Sequence, residues 1–131
     1  MFYFTALTTL ISVLFYGWLG YRVGAARGAY GIAAPAVSGH PMFERLYRVQ
    51  MNTLENLPIY LAGLWMFALY VSDIGAAGLG LVWLVGRALY ARAYVEDPKR
   101  RTAGFVISSA ATVLLCVGAV GDICMRLALG D

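Results

Sequence analysis

Arg45, Arg48, Asn52 and Glu55 are spaced three, four and three residues apart. On a helix turning about 100° per residue they fall in one narrow stripe. Two cations, an amide and a carboxylate on one face are groups that grip a small charged molecule by ion pairs and hydrogen bonds, or that grip one another. Glu44, Gln50 and Asn56 thicken the cluster, and an apolar run begins directly after it at Leu57. Charge that dense at the edge of a membrane span points to function, because such a stripe faces lipid only at a heavy penalty. It must face other helices or a wet cavity. In the bracing alternative, Glu55 neutralises Arg48 inside a network that only locks the bundle, and the spacing leaves that reading open. A second stripe, Arg87, Tyr90 and Tyr94, converges on one face of a later helix, while Arg92 points elsewhere.

The elements that position these stripes are membrane helices. Of the 131 residues, 61% are hydrophobic and 13% charged, and the mean hydropathy is +0.72. A soluble domain of this length has a different composition. The apolar residues gather in four blocks, Phe2 to Tyr21, Leu57 to Val71, Ile74 to Gly86 and Ala103 to Ile123. Each, with its flanks, approaches the ~20 residues a helix needs to cross the hydrocarbon layer. The blocks lack the alternation of barrel strands, and backbone amides in lipid are satisfied within a helix. The expectation is an all-α membrane protein, a single domain over residues 1–131. It is an up-down bundle of four transmembrane helices near 2–24, 43–71, 74–96 and 101–128. Ser72, Asp73 and Gly75 supply a tight turn between the second and third helices, and Asp97 with Pro98 ends the third.

Orientation follows from the cations. Arg22, Arg27, Arg45 and Arg48 flank the first connection and Arg87, Arg92, Lys99, Arg100 and Arg101 the third, leaving Arg126 near the opposite side. The positive-inside tendency puts both connections in the cytoplasm and both termini on the non-cytoplasmic side. The N-terminal block lacks a basic leader region and is read as a retained span rather than a secretory signal. A pI near 9.0 reflects cations gathered where anionic lipid or a small anion meets the membrane, so nucleic acid is not an expected partner.

Several other residues read as structural. Cys116 and Cys124 lie two turns apart, roughly 12 Å along a helix, too far for a disulfide, and are expected to be small packing residues. No spacing suggests a metal. Gly75, Gly78, Gly80 and Gly86, with Ser108, Ala111, Gly118 and Gly121, suit close helix approach in lipid. His40 is expected in an exposed loop, Pro58 to bend the second helix, and Asp122 to pair with Arg126.

Two segments resemble a known family. FERLYRVQMNTLENLP, residues 43–58, is similar to the signature of the MAPEG superfamily, the membrane-associated proteins in eicosanoid and glutathione metabolism. VGRALYARAYVEDPKRR, residues 85–101, resembles that family's third helix and following loop. The resemblance implies a homotrimer binding glutathione between subunits near the cytoplasmic face, with lipophilic molecules and membrane lipid as further partners. By positional match, Arg48, Asn52 and Glu55 hold the peptide, Glu55 suiting its ammonium and Arg48 a carboxylate. Gln50, Tyr90, Tyr94 and Arg27 match further glutathione contacts. Gln50 lies on the helix face opposite Arg48, which suits a ligand shared between subunits. Arg101 matches the catalytic arginine that stabilises the thiolate.

The implied activity is that of a glutathione-dependent transferase or peroxidase, with glutathione as co-substrate attacking a lipophilic electrophile or hydroperoxide. The alternative within the same fold is a non-catalytic lipid-binding adaptor. A four-span exporter of the kind that carries a carboxylate in its first helix fits poorly, because Phe2 to Tyr21 contains none. The compact chain favours a bacterial inner membrane, with the active site toward the cytoplasm.

Overall fold

A computed structural model describes residues 1–130. Four long helices follow one another: α1 Tyr3–Tyr30, α2 Pro41–Tyr70, α3 Asp73–Glu96 and α4 Thr102–Leu129, with a short 3-10 turn at Pro98–Arg100 before α4. Helices α1, α3 and the segment Pro98–Leu129 are each long and apolar enough to cross a membrane. Helix α2 is 30 residues long, about 45 Å at 1.5 Å per residue. It carries the polar cluster, and it runs against α1, α3 and α4 inside the bundle. The expected four-helix membrane bundle is the observed architecture.

Hydrogen bonds at the helix ends fix the up-down course. At the start of α1, the Phe4 and Thr5 amides donate to the Asp73 carboxylate at the start of α3, at 3.3 and 2.9 Å. At the start of α2, Arg45 Nη1 donates to the Val95 and Glu96 carbonyls at the end of α3, at 3.0 and 3.3 Å. Near the end of α4, Arg126 Nη2 donates to the Tyr70 carbonyl at the end of α2, at 3.1 Å. Alternate helices therefore run parallel, and both chain termini lie at one end of the bundle. Each of these bonds satisfies terminal backbone groups that have no partner within their own helix.

The local caps follow from residue type. Ser72 opens α3 by accepting the Gly75 amide at 2.9 Å, and Asp97 opens the 3-10 turn by accepting the Lys99 amide at 3.0 Å. Helix α1 runs to Tyr30 rather than ending near residue 24, because Arg22, Ala25, Ala26 and Arg27 are good helix formers and Gly31, at φ +65°, supplies the left-handed cap. His40 is not a free loop residue. Its Nδ1 accepts the Met42 amide at 3.1 Å as the cap of α2, and its ring stacks on Tyr30 at 3.7 Å. Helix α2 continues through Pro58.

The core is centred on Leu57, Tyr60, Leu64, Ala76, Trp83, Ala111 and Leu115. Tyr60 and Trp83 stack at 3.8 Å, and the Tyr60 hydroxyl shares a 2.8 Å hydrogen bond with Ser12. Outside this core, α1 and α4 present Leu7, Leu10, Leu14, Val113, Leu114, Val117 and Val120 at the surface, as lipid-facing helices do. Cys116 packs against Gly63, where a Cβ would come within 2.7 Å of its sulfur, as expected of a packing residue. Cys124 does not follow suit and is exposed on α4.

Small residues bring α3 and α4 together. A Cβ at Gly86 would lie 2.6 Å from the Ser108 amide nitrogen, and one at Gly104 would collide with the Tyr90 backbone. Gly80 and Gly118 are equally tight, against Thr8 and Phe67. Gly78 and Gly121, by contrast, face open space and need no glycine for packing. A helix has only one face per neighbour, so small residues on its outer side gain nothing from close approach.

Gly104→Ala is expected to push α4 off Tyr90 and destabilise the bundle by about 1–3 kcal/mol, the usual range for overpacking. Gly121→Ala should stay within about 0.5 kcal/mol of the parent. Thermal unfolding in detergent measures both.

Candidate functional site

The polar stripe of α2 separates into side chains that are used within the protomer and side chains that are not. Arg45 is used, because it caps the last turn of α3. Asn52 is half used: its Oδ1 accepts from Arg87 Nη2 at 2.7 Å and, more distantly, from Asn56 Nδ2 at 3.4 Å. Arg48 and Glu55 are exposed, and among the described residues neither forms an ion pair or hydrogen bond. The bracing arrangement, with Glu55 neutralising Arg48, is therefore absent from the protomer.

Helix α3 delivers the second stripe as its spacing requires. The Arg87 guanidinium sits 4.3 Å over the Tyr90 ring, and the Tyr90 and Tyr94 rings lie 5.6 Å apart. The Tyr90 side chain is packed by Phe105 of α4 at 6.4 Å. Arg87, Tyr94, Arg101 and Arg48 all lie within electrostatic reach of the Tyr90 hydroxyl, which makes no hydrogen bond and is not sealed from solvent. Arg92 points away and pairs with Glu96 on the surface.

These groups border two clefts. One, of about 350 Å³, is lined by Asn52, Tyr90, Arg101, Thr102 and Phe105. The other, of about 390 Å³, is lined by Arg45, Arg48, Tyr94 and Glu44 with Val37, Pro41 and Tyr47. Volumes of this size fall in the ~300–1,000 Å³ range of small-molecule sites. Tyr90 and Tyr94, one turn apart on α3, line one cleft each. Glu55 lies one turn along α2 from Asn52, outside either lining. A third groove, of about 360 Å³ between α1 and α3, includes Arg22 and Arg92. Its cations are already engaged, Arg22 over Trp18 at 5.0 Å and Arg92 with Glu96. The free cations Arg48 and Arg101 border the paired clefts instead.

Not every expected ligand residue is in this place. Gln50 lies against α1, close enough that a Cβ on Gly20 would meet its Nε2 at 3.0 Å. Arg27 donates to the Ala36 carbonyl at 2.7 Å and sits 4.9 Å over the Phe43 ring. Both are on the α1 side of α2, away from Asn52, Tyr90 and Arg101. The protomer thus brings together Arg48, Asn52, Tyr90, Tyr94 and Arg101, and holds Arg27 and Gln50 on a different face. Thr102 and Phe105 were not singled out by sequence. Phe105 follows Arg101 by four residues, a spacing that places it on the same helix face, and Thr102 is simply the chain neighbour of Arg101.

Chemically, the clefts offer two unpaired guanidiniums, an amide nitrogen and two phenol groups. That set binds anions and polarisable groups.

The chain matches the model of the MAPEG family over residues 5–121. It is 45% identical over 122 residues to an uncharacterized protein of Synechocystis sp., covering 93% of this chain and 89% of that one. Identity to microsomal glutathione S-transferase 2 of Homo sapiens is 39% over 117 residues, 88% of this chain and 80% of the relative. Identity to leukotriene C4 synthase of Bos taurus is 36% over 110 residues, 84% and 73% of the two chains.

The division of the α2 stripe has a direct consequence for stability. Arg45→Ala removes donors from the end of α3 and should destabilise the protein by about 1–2 kcal/mol. Arg48→Ala removes no bond and should stay within about 0.5 kcal/mol. Equal losses in detergent unfolding experiments would contradict this assignment.

Proposed function

The chain belongs to the MAPEG family, and on that footing we propose that it is a glutathione-dependent membrane enzyme that activates glutathione as its thiolate. The observation that carries this reading is the pair of free guanidiniums, Arg48 and Arg101, beside clefts also lined by Asn52, Tyr90 and Tyr94. Relatives named as a glutathione S-transferase and a leukotriene C4 synthase support it.

Glutathione carries two carboxylates, an ammonium and a thiol. In the proposed complex Arg48 pairs with a carboxylate, Glu55 takes the ammonium, and Asn52, Tyr90 and Tyr94 hydrogen-bond the peptide. Arg101 faces the sulfur. A free thiol with pKa near 8.5 is mostly protonated at neutral pH, and a guanidinium beside it favours the thiolate. Each tenfold gain in thiolate corresponds to ~1.4 kcal/mol, within reach of a partly desolvated charge.

The lipophilic substrate approaches from the bilayer along Phe105, which is exposed on α4 and lines the same cleft as Arg101. With an electrophilic carbon, the sulfur forms a C–S bond and the leaving group or opened epoxide oxygen takes a proton. With a hydroperoxide, the sulfur attacks the terminal oxygen, the O–O bond breaks, and the alcohol leaves with a proton while the sulfur becomes a sulfenic acid. A second glutathione thiol then displaces its hydroxyl, forming the disulfide and releasing water.

Arg27 and Gln50 enter the site from a neighbouring subunit, as members of a homotrimer. Gln50 faces α1 and Arg27 lies on α1 itself, both apart from the clefts, which supports this arrangement. The end of the bundle bearing Arg48, Arg100 and Arg101 faces the cytoplasm by the positive-inside tendency. The cyanobacterial relative supports a bacterial membrane.

Purified protein in detergent should bind glutathione and raise its thiolate absorbance at neutral pH. Arg101→Ala should cut that absorbance about tenfold or more. It should also move the pH dependence of turnover to higher pH, because the thiol then ionises nearer its free value. No binding at millimolar glutathione would defeat the proposal. Separate assays with an aryl halide and a lipid hydroperoxide distinguish conjugation from reduction.

A further inference from the structure

Arg87 is the least expected side chain in the bundle. It is 1% exposed and meets Asn52 and Thr53 of α2 and the Tyr90 ring of α3, yet among the described residues no carboxylate pairs with it. Only its Nη2 is hydrogen-bonded, donating to Asn52 Oδ1 at 2.7 Å and to Thr53 Oγ1 at 2.9 Å. Nε and Nη1 are buried without any partner. A buried cation of this kind is costly, and replacing buried ionic groups with apolar ones of similar shape is often neutral or stabilising. Stability alone does not account for an arginine here.

The hydrogen bonds show what the guanidinium controls. Asn52 lines the cleft with Tyr90 and Arg101. Its amide oxygen is occupied from the protein side by Arg87 and Asn56. Its nitrogen donates to nothing and is not sealed from solvent. An asparagine amide free to flip would present oxygen or nitrogen to the cleft with similar ease. A guanidinium carries no acceptor, so it accepts only the orientation with oxygen inward. The same group lies on the Tyr90 ring at 4.3 Å and holds a second cleft residue in place.

We propose that Arg87 is the positioning residue of the site: it locks the Asn52 amide with its nitrogen turned toward the cleft, as a fixed donor for a carbonyl or carboxylate of the bound ligand. The inference rests on the reading of that ligand as glutathione and extends it to a residue that never touches the peptide. Thr53 is the internal control. It receives the other Arg87 bond, but it is buried and its own hydroxyl donates to the Val49 carbonyl at 2.9 Å.

The test is a glutathione titration by calorimetry on the full-length protein in detergent, with thermal unfolding of the same samples. Arg87→Met should unfold at the same or a higher temperature, yet bind glutathione about tenfold more weakly, equivalent to ~1.4 kcal/mol. KM for glutathione should rise with little change in kcat. Thr53→Val should bind within about twofold of the parent, the spread expected where no contact is lost. A purely structural arginine would lower stability and affinity together, and an unchanged affinity in Arg87→Met would overturn the proposal.

If Arg87→Met does not assemble, Arg87→Gln carries the test. Its amide offers an acceptor as well as donors, so it can hold Asn52 in either orientation. Weaker binding in that variant supports the locking role, and full wild-type affinity overturns it. Side-chain amide resonances of isotope-labelled asparagine read the lock without ligand. The Asn52 side-chain amide should be motionally restricted in the wild type and mobile in Arg87→Met by nitrogen relaxation, and identical relaxation would overturn the role. A wild type that binds no glutathione would defeat the proposed function instead, with the amide spectra still deciding whether Arg87 holds Asn52.

Discussion

A bundle immersed in lipid has no water with which to satisfy a stray polar group, so each one must find a partner inside the protein or face a wet opening. The rest of this structure follows from that constraint. Asp73 takes the first amides of α1, Arg45 takes the last carbonyls of α3, and Arg126 reaches the end of α2 while pairing with Asp122 at 2.6 Å. In the interior, Tyr60, Ser12 and the Thr8 carbonyl close a small chain of hydrogen bonds. These residues join helix ends and helix faces, and they leave no chemistry over.

The site is what remains after this accounting. Arg48, Glu55 and Arg101 keep their charges unspent, and the Asn52 nitrogen and Tyr90 hydroxyl keep their hydrogen-bonding capacity. They cluster at the end of the bundle where the chain also carries Lys99 and Arg100, and the open clefts between α2, α3 and α4 adjoin them. Unsatisfied polarity beside a cleft of ligand size marks a candidate binding site in a membrane protein. Arg87 belongs to both groups. It is packed like a core residue, but among the described residues no carboxylate balances its charge, and one of its hydrogen bonds runs to the cleft residue Asn52.

Close helix contact makes this economy possible. Gly86 and Gly104 let α3 and α4 approach until backbone meets backbone, and that approach brings Arg101, at the start of α4, beside Tyr90 of α3. A side chain at either glycine would widen the cleft as well as loosen the bundle. Packing and site geometry are thus set by the same pair of small residues.

Much of this was legible in the residues. Long apolar blocks and turn chemistry at Ser72 and Asp97 specify four helices and their order, because helix length in lipid and cap preference are local properties. Three- and four-residue spacing likewise places Arg48 with Asn52, and Arg87 with Tyr90, whatever the fold does around them. Only the tertiary structure decided which of these groups is free. Arg45 and Arg48 share a stripe, but one meets the end of α3 and the other meets a cleft. Gln50 and Arg27 match a ligand-binding pattern, but Gln50 faces α1 and Arg27, on α1, meets Ala36 and the Phe43 ring. Gly78 and Gly86 sit on one helix, and a single one of them meets α4. His40, placed in a loop by its neighbours, is a helix cap because Tyr30 lies across from it. Partnership depends on residues distant in sequence meeting in space, and local spacing carries no information about which side of a helix its neighbour will occupy.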